Sequence, residues 1–394
     1  MGSRLRVLVA TNLYPSNVDP GFAPFNRQQF AELGKIADVE ILGLVPWRFG
    51  TLPGRVNGQS LAHQETIDGL TVTHPQFLAV PGLPSLNATS IGLALVPYVA
   101  PRRARVDVLL ACYAYPDGIA GVVLGKALGL PVVVKCHGSD LNRVPGDLAA
   151  RFQLRTWLPR AARVVCVSQR LSDEAERLGV DRDRLRVVYN GVDRRKFAPR
   201  DRAEVRRKLG LPLDAELVIY VGGLAEHKGT RDLLHAIPRL QAERPGVVTA
   251  FVGDGPLAGE VTQAAEHGSP AAGRVIAVGR VRHDEVPDWM AACDLLCLPS
   301  WDEGMPNVVR EAHAIGRPVV ATRVGGLPEI VQDPLLGRLV PPRDPPALAA
   351  AIAAELEAAR GRSPDAIRAR AIVPTWEESA AALHAVLEEA ARRR

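Results

Sequence analysis

"DLLCLPSWDEGMPNVVREAHAIGRPVV", from Asp294 to Val320, reads as a strand, a loop, a helix and the start of a second strand. The run "DLLCLPS" shows no polar alternation, which marks a strand buried on both faces, hence a parallel strand covered by helices. "VVREAHAIG" has the composition of a helix and ends at Gly316, with Pro318 shortly after. Pro306 suits the first helical turn, where its missing N–H costs nothing. The loop and helix start then present free backbone N–H groups at Gly304, Met305, Asn307 and Val308, a ready anion site. Glu303 stands just outside that site, and Glu311 lies further into the helix, roughly 7 Å along its axis. A carboxylate only accepts hydrogen bonds and therefore suits vicinal hydroxyls, which donate. Two carboxylates flanking an anion site would grip two polyols joined by phosphate, which describes a nucleotide sugar. Taken singly, Glu303 is better explained as a charge at a helix N-terminus and Glu311 as a solvated helix residue.

The same alternation extends outward in both directions. The first half holds "LRVLVATN", "DVEILGLV", "VDVLLACYAY", "PVVVKCHG", "ARVVCVS" and "LRVVYNG", and the second "LVIYVGG", "VVTAFVGDG", "RVIAVGRV", "DLLCLPS", "RPVVATRVGG" and "GRLVPP". Between them, residues 193–216 are polar and punctuated by Pro199 and Pro212, a linker plus a first helix. The pattern predicts two doubly wound α/β domains in tandem, joined near 190–200, with ligands expected at the carboxyl ends of the strands. The length of 394 residues fits two domains of ordinary size. The closing "TWEESAAALHAVLEEAARRR" predicts a helix, with Thr375 and Glu378 at capping-box spacing.

Composition is globular, with 47% hydrophobic and 23% charged residues and only 5% aromatics. The net charge of +5 is uneven: the first 190 residues hold 21 Lys and Arg against 15 Asp and Glu, the remaining 204 hold 27 against 28. Solvated faces of an Arg-rich chain account for this, the alternative being an anionic partner such as a membrane surface, a lipid phosphate or a nucleic acid. Of these a peripheral contact with an anionic membrane surface is retained and nucleic acid is not. The five cysteines, Cys112, Cys136, Cys166, Cys293 and Cys297, fall mostly in strand-like runs and suit reduced thiols in a cytoplasmic protein. The N-terminus reads as a first strand, not a signal peptide. "IGLALVPYVA" at 91–100 is too short to span a bilayer and is followed by Arg102, Arg103 and Arg105. A buried helix with a charged exit is expected there, an interfacial helix being the alternative.

With these motifs in place, the chain resembles the family-4 retaining glycosyltransferases, which have the GT-B fold of two Rossmann-like domains facing across a cleft. The family signature of two glutamates with seven residues between stands here as "EGMPNVVRE". "YVGGLAEHKG", "VGDGP", "VGRV", "VGGLPEIV", "CHGSD" and "VYNGVD" add to it in order and spacing. "TNLYPSNVDPGFAPFNRQQFAEL" is most similar to members that build bacterial surface polysaccharides. The resemblance implies an acceptor-side domain at 1–192, a nucleotide-sugar domain at 193–372, and a helix at 373–394 packing back on the first domain.

The resemblance also implies roles. Glu311 holds the ribose, Glu303 a hydroxyl of the donor sugar, and the backbone of Gly304, Met305, Pro306, Asn307 and Val308 the diphosphate. Lys228 neutralises the leaving diphosphate, where negative charge builds in the transition state. Arg280 and Val281 meet the base. In the first domain Gly21 lies in a loop over the phosphates, His137 contacts the donor sugar or the transition-state charge, and Arg27, Asp140 and Asn142 are acceptor-side candidates, helix capping being the alternative for Asp140 and Asn142. The family form before the lysine is Gly-Arg-Leu, whereas this chain has Gly222-Gly223-Leu224. One phosphate-binding cation is missing there, and Arg282, Arg310 and Arg323 are the candidates to replace it. The expected reaction is retaining transfer from a nucleotide sugar, UDP-linked first and GDP-linked next, to a saccharide, lipid-linked or small-molecule acceptor. No cofactor and no metal are expected. A catalytically silent relative and a sugar-nucleotide epimerase are the alternatives. A dinucleotide-dependent dehydrogenase is disfavoured because no strand–Gly-x-Gly-x-x-Gly–helix unit occurs.

Overall fold

The computed structural model describes residues 4–48, 52–80, 83–142, 147–266 and 274–392. The chain divides into two compact units, Met1–Gly191 with Pro374–Arg394, and Val192–Val373.

The first unit opens with β1 (Arg6–Thr11), α1 (Pro24–Ile36) and β2 (Asp38–Gly43). A hairpin follows, β3 (Gln64–Ile67) and β4 (Leu70–Thr73), turning on Asp68 and Gly69, both at positive φ. Then come α2 (Asn87–Val99), β5 (Val108–Cys112), α3 (Ile119–Leu128), β6 (Val132–Cys136), α4 (Leu148–Trp157), β7 (Arg163–Cys166), α5 (Gln169–Arg177) and β8 (Leu185–Val187). The strands form one sheet in the order β8-β7-β6-β5-β1-β2-β4-β3. Every pairing is parallel except the hairpin. β5 and β6 are buried at every position, Lys135 of β6 included, as strands between two helical layers must be. Ser168 caps α5 through its Oγ, which accepts from the Leu171 N–H at 3.2 Å.

The second unit runs through α6 (Arg202–Leu209), β9 (Glu216–Val221), α7 (Thr230–Glu243), β10 (Val247–Val252), α8 (Ala258–Ala265), β11 (Val275–Gly279), α9 (Val286–Ala292), β12 (Leu295–Leu298), α10 (Asn307–Ile315), β13 (Val319–Thr322), β14 (Gly337–Val340), α11 (Pro345–Ala359) and α12 (Pro364–Arg370). Its sheet is wholly parallel, in the order β11-β10-β9-β12-β13-β14. The order reverses between β9 and β12, so the loops after these two strands flank the switch point where such sheets bind ligands. The core, with Tyr220, Leu233, Ile237, Phe251, Leu295 and Ile352, is fully buried. Each such side chain contributes roughly 1.5–3 kcal/mol of transfer free energy.

The chain ends in α13 (Trp376–Ala391), which belongs to the first unit. Thr375 and Glu378 form the reciprocal capping box. Leu383, Leu387 and Ala390 join the core of β1, β5 and α1. Glu389 accepts from Arg163 at 2.6 Å and Arg186 at 2.7 Å, and these two guanidinium groups pull its carboxyl down to about 2. Gly191 lies against the backbone of Trp376, where a Cβ would stand 2.5 Å from its nitrogen. The glycine of "VYNGVD" is thus fixed by the return of α13.

Two expectations need correction. α2 is not a buried helix: Ile91, Leu95 and Val99 face the core, whereas Leu93 is 70% and Val96 43% exposed. Pro306 is the N-cap residue of α10, in extended conformation, and the helix begins at Asn307.

Candidate functional site

In the second unit the loop after β9 carries Gly222, Gly223 and Leu224, followed by a short turn, Glu226–Lys228. The loop after β12 carries Ser300 to Pro306 and delivers the chain into α10. The two loops meet. The Trp301 N–H donates to the His227 carbonyl at 2.9 Å, and Lys228 Nζ donates to Glu303 Oε1 at 2.8 Å. Ser300 Oγ donates to the same oxygen at 2.7 Å, so Glu303 is held from two sides. Behind it, Gly325 sits at φ +55°, and a Cβ there would lie 1.8 Å from the Glu303 carbonyl oxygen. Only glycine allows that approach. The Gly326 N–H donates to the Gly304 carbonyl at 2.8 Å, tying "EGMP" to the loop after β13.

α10 has no side-chain cap at its N-terminus. Its uncapped first turn points free N–H groups and the positive end of the helix dipole outward. Met305 and Pro306 are buried, while Gly304, Asn307 and Val308 are partly exposed beside this terminus. Glu311 lies one turn into the helix and is half-buried. Burial pushes its carboxyl up to about 7, opposed by the charges of Arg310 and Lys196. Lys196, just after the unit boundary, is a site residue that sequence reasoning missed. It stands among Arg194 and Arg195, and nothing in residue type separates it from them. Ser300 was also missed, though a polar residue ending a buried strand was a legible signal.

The candidates for a second phosphate cation differ in what holds them. Arg282 is engaged by Asp284 at 3.1 Å and by Glu285 at 3.7 Å. Arg310 is fully buried and donates to Asn307 Oδ1 at 2.5 Å. Arg323, directly after β13, is exposed, and its N–H donates to the Val340 carbonyl while no ion pair among the described residues engages its side chain. Arg280 is 82% exposed beside Asp254 at 3.7 Å, and Val281 follows it, partly buried. At Gly223 a Cβ would meet nothing within 4 Å, so the glycine is not required by packing. Gly222 is favoured by its backbone instead, at φ +155°, a conformation that L side chains rarely adopt.

In the first unit His137 leaves the carboxyl end of β6 and enters a short helical turn, Ser139–Asn142. Its ring lies 5.0 Å from Phe25 and 6.4 Å from Tyr113, centroid to centroid. Nε2 is buried with no hydrogen-bond partner. Burial, with the charge of the buried Lys135, holds the imidazole well below its usual range, so it is neutral at pH 7. Asp140 holds this loop: its carboxylate accepts from the N–H of Ala114 at 2.6 Å, Gly138 at 2.7 Å and His137 at 3.0 Å. It is 1% exposed. An acceptor-binding role for Asp140 is therefore corrected to a structural one, because its oxygens are spent on backbone donors. Arg27 is partly exposed and paired with Asp68 at 2.7 Å. Gly21 is exposed with nothing within 4 Å of a would-be Cβ, so no contact in this chain demands glycine there. Asn142 closes the turn, and its side chain lies outside the described residues. Among the described residues no group of three or more His, Cys, Asp or Glu is placed to hold a metal ion.

Comparison with known proteins agrees with this geometry. Residues 215–358 match the family described as Glycosyl transferases group 1, and residues 58–196 match Glycosyltransferase Family 4. Over 364 residues, 88% of each chain, the protein is 34% identical to TuaC of Bacillus subtilis, a glycosyltransferase named for teichuronic acid biosynthesis. The solved structure of Anabaena Alr3699/HepE in complex with UDP-glucose superposes with a TM-score of 0.65 at 19% identity, over 98% of this chain and 99% of that one. The catalytic domain of starch synthase IV from Arabidopsis thaliana, bound to ADP and acarbose, gives 0.71 at 16% identity over 100% of both chains. The structural likenesses establish the fold as GT-B, and the sequence match over nearly the whole chain establishes the family: this protein belongs to the family-4 glycosyltransferases.

Proposed function

We propose that the protein is a retaining, metal-independent transferase that moves a sugar from a nucleotide sugar to a saccharide, lipid-linked or small-molecule acceptor. The observation that carries this is the joint placement of Lys228, Glu303 and the open α10 N-terminus, with Glu311 on the same helix. A diphosphate seated on the first turn of α10 receives its N–H groups and the helix dipole. Lys228 adds a full charge to the leaving oxygen as the sugar–phosphate bond breaks. Glu303, held by Lys228 and Ser300, accepts from a sugar hydroxyl, and Glu311 accepts from the ribose. For His137 of the first unit, neutral and with Nε2 unpartnered among the described residues, the family resemblance is what suggests a contact with the donor sugar or the transition-state charge. With a cation and a helix terminus supplying the positive charge, no metal is needed for leaving-group departure. Catalysis then rests on positioning and electrostatics, and the acceptor attacks the face the leaving group vacates.

A UDP-sugar is the favoured donor, consistent with the UDP-glucose bound by HepE, and a GDP-sugar is next. The relation to TuaC, named for teichuronic acid biosynthesis, favours a role in surface-polysaccharide assembly. The test is calorimetric titration with UDP, GDP and ADP. Saturable binding of one nucleotide, lost in Glu311→Ala, is the expected result. No binding of any of the three would overturn the donor assignment in favour of a catalytically silent relative.

A further inference from the structure

The three most exposed large apolar side chains among the described residues are Leu148 (82%), Leu93 (70%) and Phe152 (70%). All three lie on α2 and α4 of the first unit. Leu83, Leu86, Val96 and Val123, also exposed, continue the surface along α2 and onto α3. The helices adjoin: Gln153 of α4 donates to the Ser85 carbonyl at the approach to α2, at 3.1 Å. Between them runs an apolar groove of about 290 Å³, walled by Leu93, Val96, Val123, Leu124, Ala127 and Trp157. Leu148 and Phe152 stand on α4 outside this groove, and large apolar side chains exposed together on neighbouring helices mark a contact site.

Charge identifies the occupant. α2, α3 and α4 carry no acidic residue, whereas α3 carries Lys126 and α4 carries Arg151 and Arg155. None of these three cations is in an ion pair among the described residues. Arg160 lies over the Trp157 ring at 5.2 Å, and Arg103 and Arg105 follow α2. A second copy of this face would bring like charges together. A bilayer bearing anionic headgroups takes both components, apolar side chains into its acyl boundary and cations at its surface. α2, at 13 residues, is about 20 Å long. No helix of the described residues is long and apolar enough to cross a membrane, so the contact is one of lying on the surface.

We propose that the face formed by α2, α3 and α4 docks on an anionic lipid bilayer, with Leu93, Leu148 and Phe152 inserted and Lys126, Arg151 and Arg155 at the headgroups. The face lies within the first unit and is tested without donor or acceptor, so its fate is separate from that of the transfer reaction. The full chain is sedimented with phosphatidylcholine vesicles, with and without a minor share of phosphatidylglycerol. Binding is expected only with the anionic lipid, falling at least tenfold as salt rises from about 0.1 to 0.5 M. Leu93→Gln with Phe152→Gln is expected to cut partitioning at least tenfold, with the thermal midpoint and nucleotide titration unchanged. Arg151→Glu with Arg155→Glu abolishes the preference for phosphatidylglycerol. No sedimentation with either vesicle, or binding undiminished in Leu93→Gln with Phe152→Gln, overturns the proposal. So does a concentration-dependent dimer that this pair of substitutions dissolves, which would give the face to a second copy.

Discussion

The two units share one construction and use it oppositely. Each places its polar chemistry on loops after parallel strands. In the second unit Lys228 and Glu303 are partly exposed and paired, with side chains 31% and 11% accessible. In the first, Lys135 at the end of β6 and the loop residues Asp117 and Asp140 are buried to within 1%, and His137 beside them is half-buried. There desolvation governs protonation: both carboxyls are pushed up and the imidazole down. Burial disfavours charge, so the first unit presents a neutral hydrogen-bonding group, while the second retains formal charge.

The largest expected effect tests the charged half. Lys228→Ala should slow transfer roughly 10³-fold, the upper range for losing one transition-state donor, with a smaller loss in nucleotide affinity. Equal rates for Lys228→Ala and wild type would break the comparison, since the second unit would not be acting through its charge. His137→Ala tests the neutral half. Transfer should fall roughly 10²-fold while nucleotide titration is unchanged. Because burial lowers the affinity of this imidazole for its proton, any limb it gives the wild-type pH–rate profile should stand below the usual histidine range. A rate that depends on a group absent in His137→Ala and titrating near pH 6.5 would show that His137 works as a cation.

Glu311 is where the two regimes meet, a charged-site residue with a desolvated carboxyl near 7. Glu311→Ala should weaken nucleotide binding about twentyfold, the value of roughly one hydrogen bond to a charged acceptor. Hydroxyl donors favour the ionised form, so binding should release a proton and tighten about tenfold from pH 6 to pH 8. The sign for stability is opposite. The folded state holds this proton above the unfolded value of 4.5, so the contribution is complete below 4.5 and is lost as pH rises through about 7. Glu311→Gln should flatten both dependences, read by titration and by thermal midpoints at several pH values.

Much of this was legible in the sequence, for physical reasons. Continuous apolar runs such as Leu295–Leu298 can only be covered strands, so both sheets were readable. The capping box at Thr375 and the Ser168 cap are local devices and read locally. The hairpin at Asp68–Gly69 was missed although "TIDGLTVT" carries an Asp-Gly turn between β-rich segments. Asp140 stayed open between acceptor binding and capping because a buried carboxylate satisfied by three backbone N–H groups looks, in sequence, like any loop aspartate. The two faces of α2 could not be told apart, since Leu93 and Leu95 are the same residue type and only neighbours decide which is covered. Lys196 became visible only once the fold set its charge near Glu311.

The smallest expected effect concerns Gly223, and it sharpens the comparison most. If the second unit works through charge, the absence of the arginine that resembling sequences carry there should be felt as a deficit. The structure leaves space for it: a Cβ at Gly223 meets nothing within 4 Å, and its φ lies outside the region that favours glycine. Tyr220 Oη donates to the Gly223 carbonyl at 2.7 Å, a backbone contact that a new side chain leaves in place. Gly223→Arg should therefore fold normally and tighten nucleoside diphosphate binding up to about fivefold, as an added exposed cation does. The gain should fall with salt and be absent for the nucleoside, which has no phosphate. Arg323→Ala, removing the cation after β13 with no ion pair, should enlarge the gain if Arg323 already supplies the missing charge. An unchanged gain in the double variant would mean that Arg323 lies outside the diphosphate's reach and that Lys228 and α10 carry the anion alone.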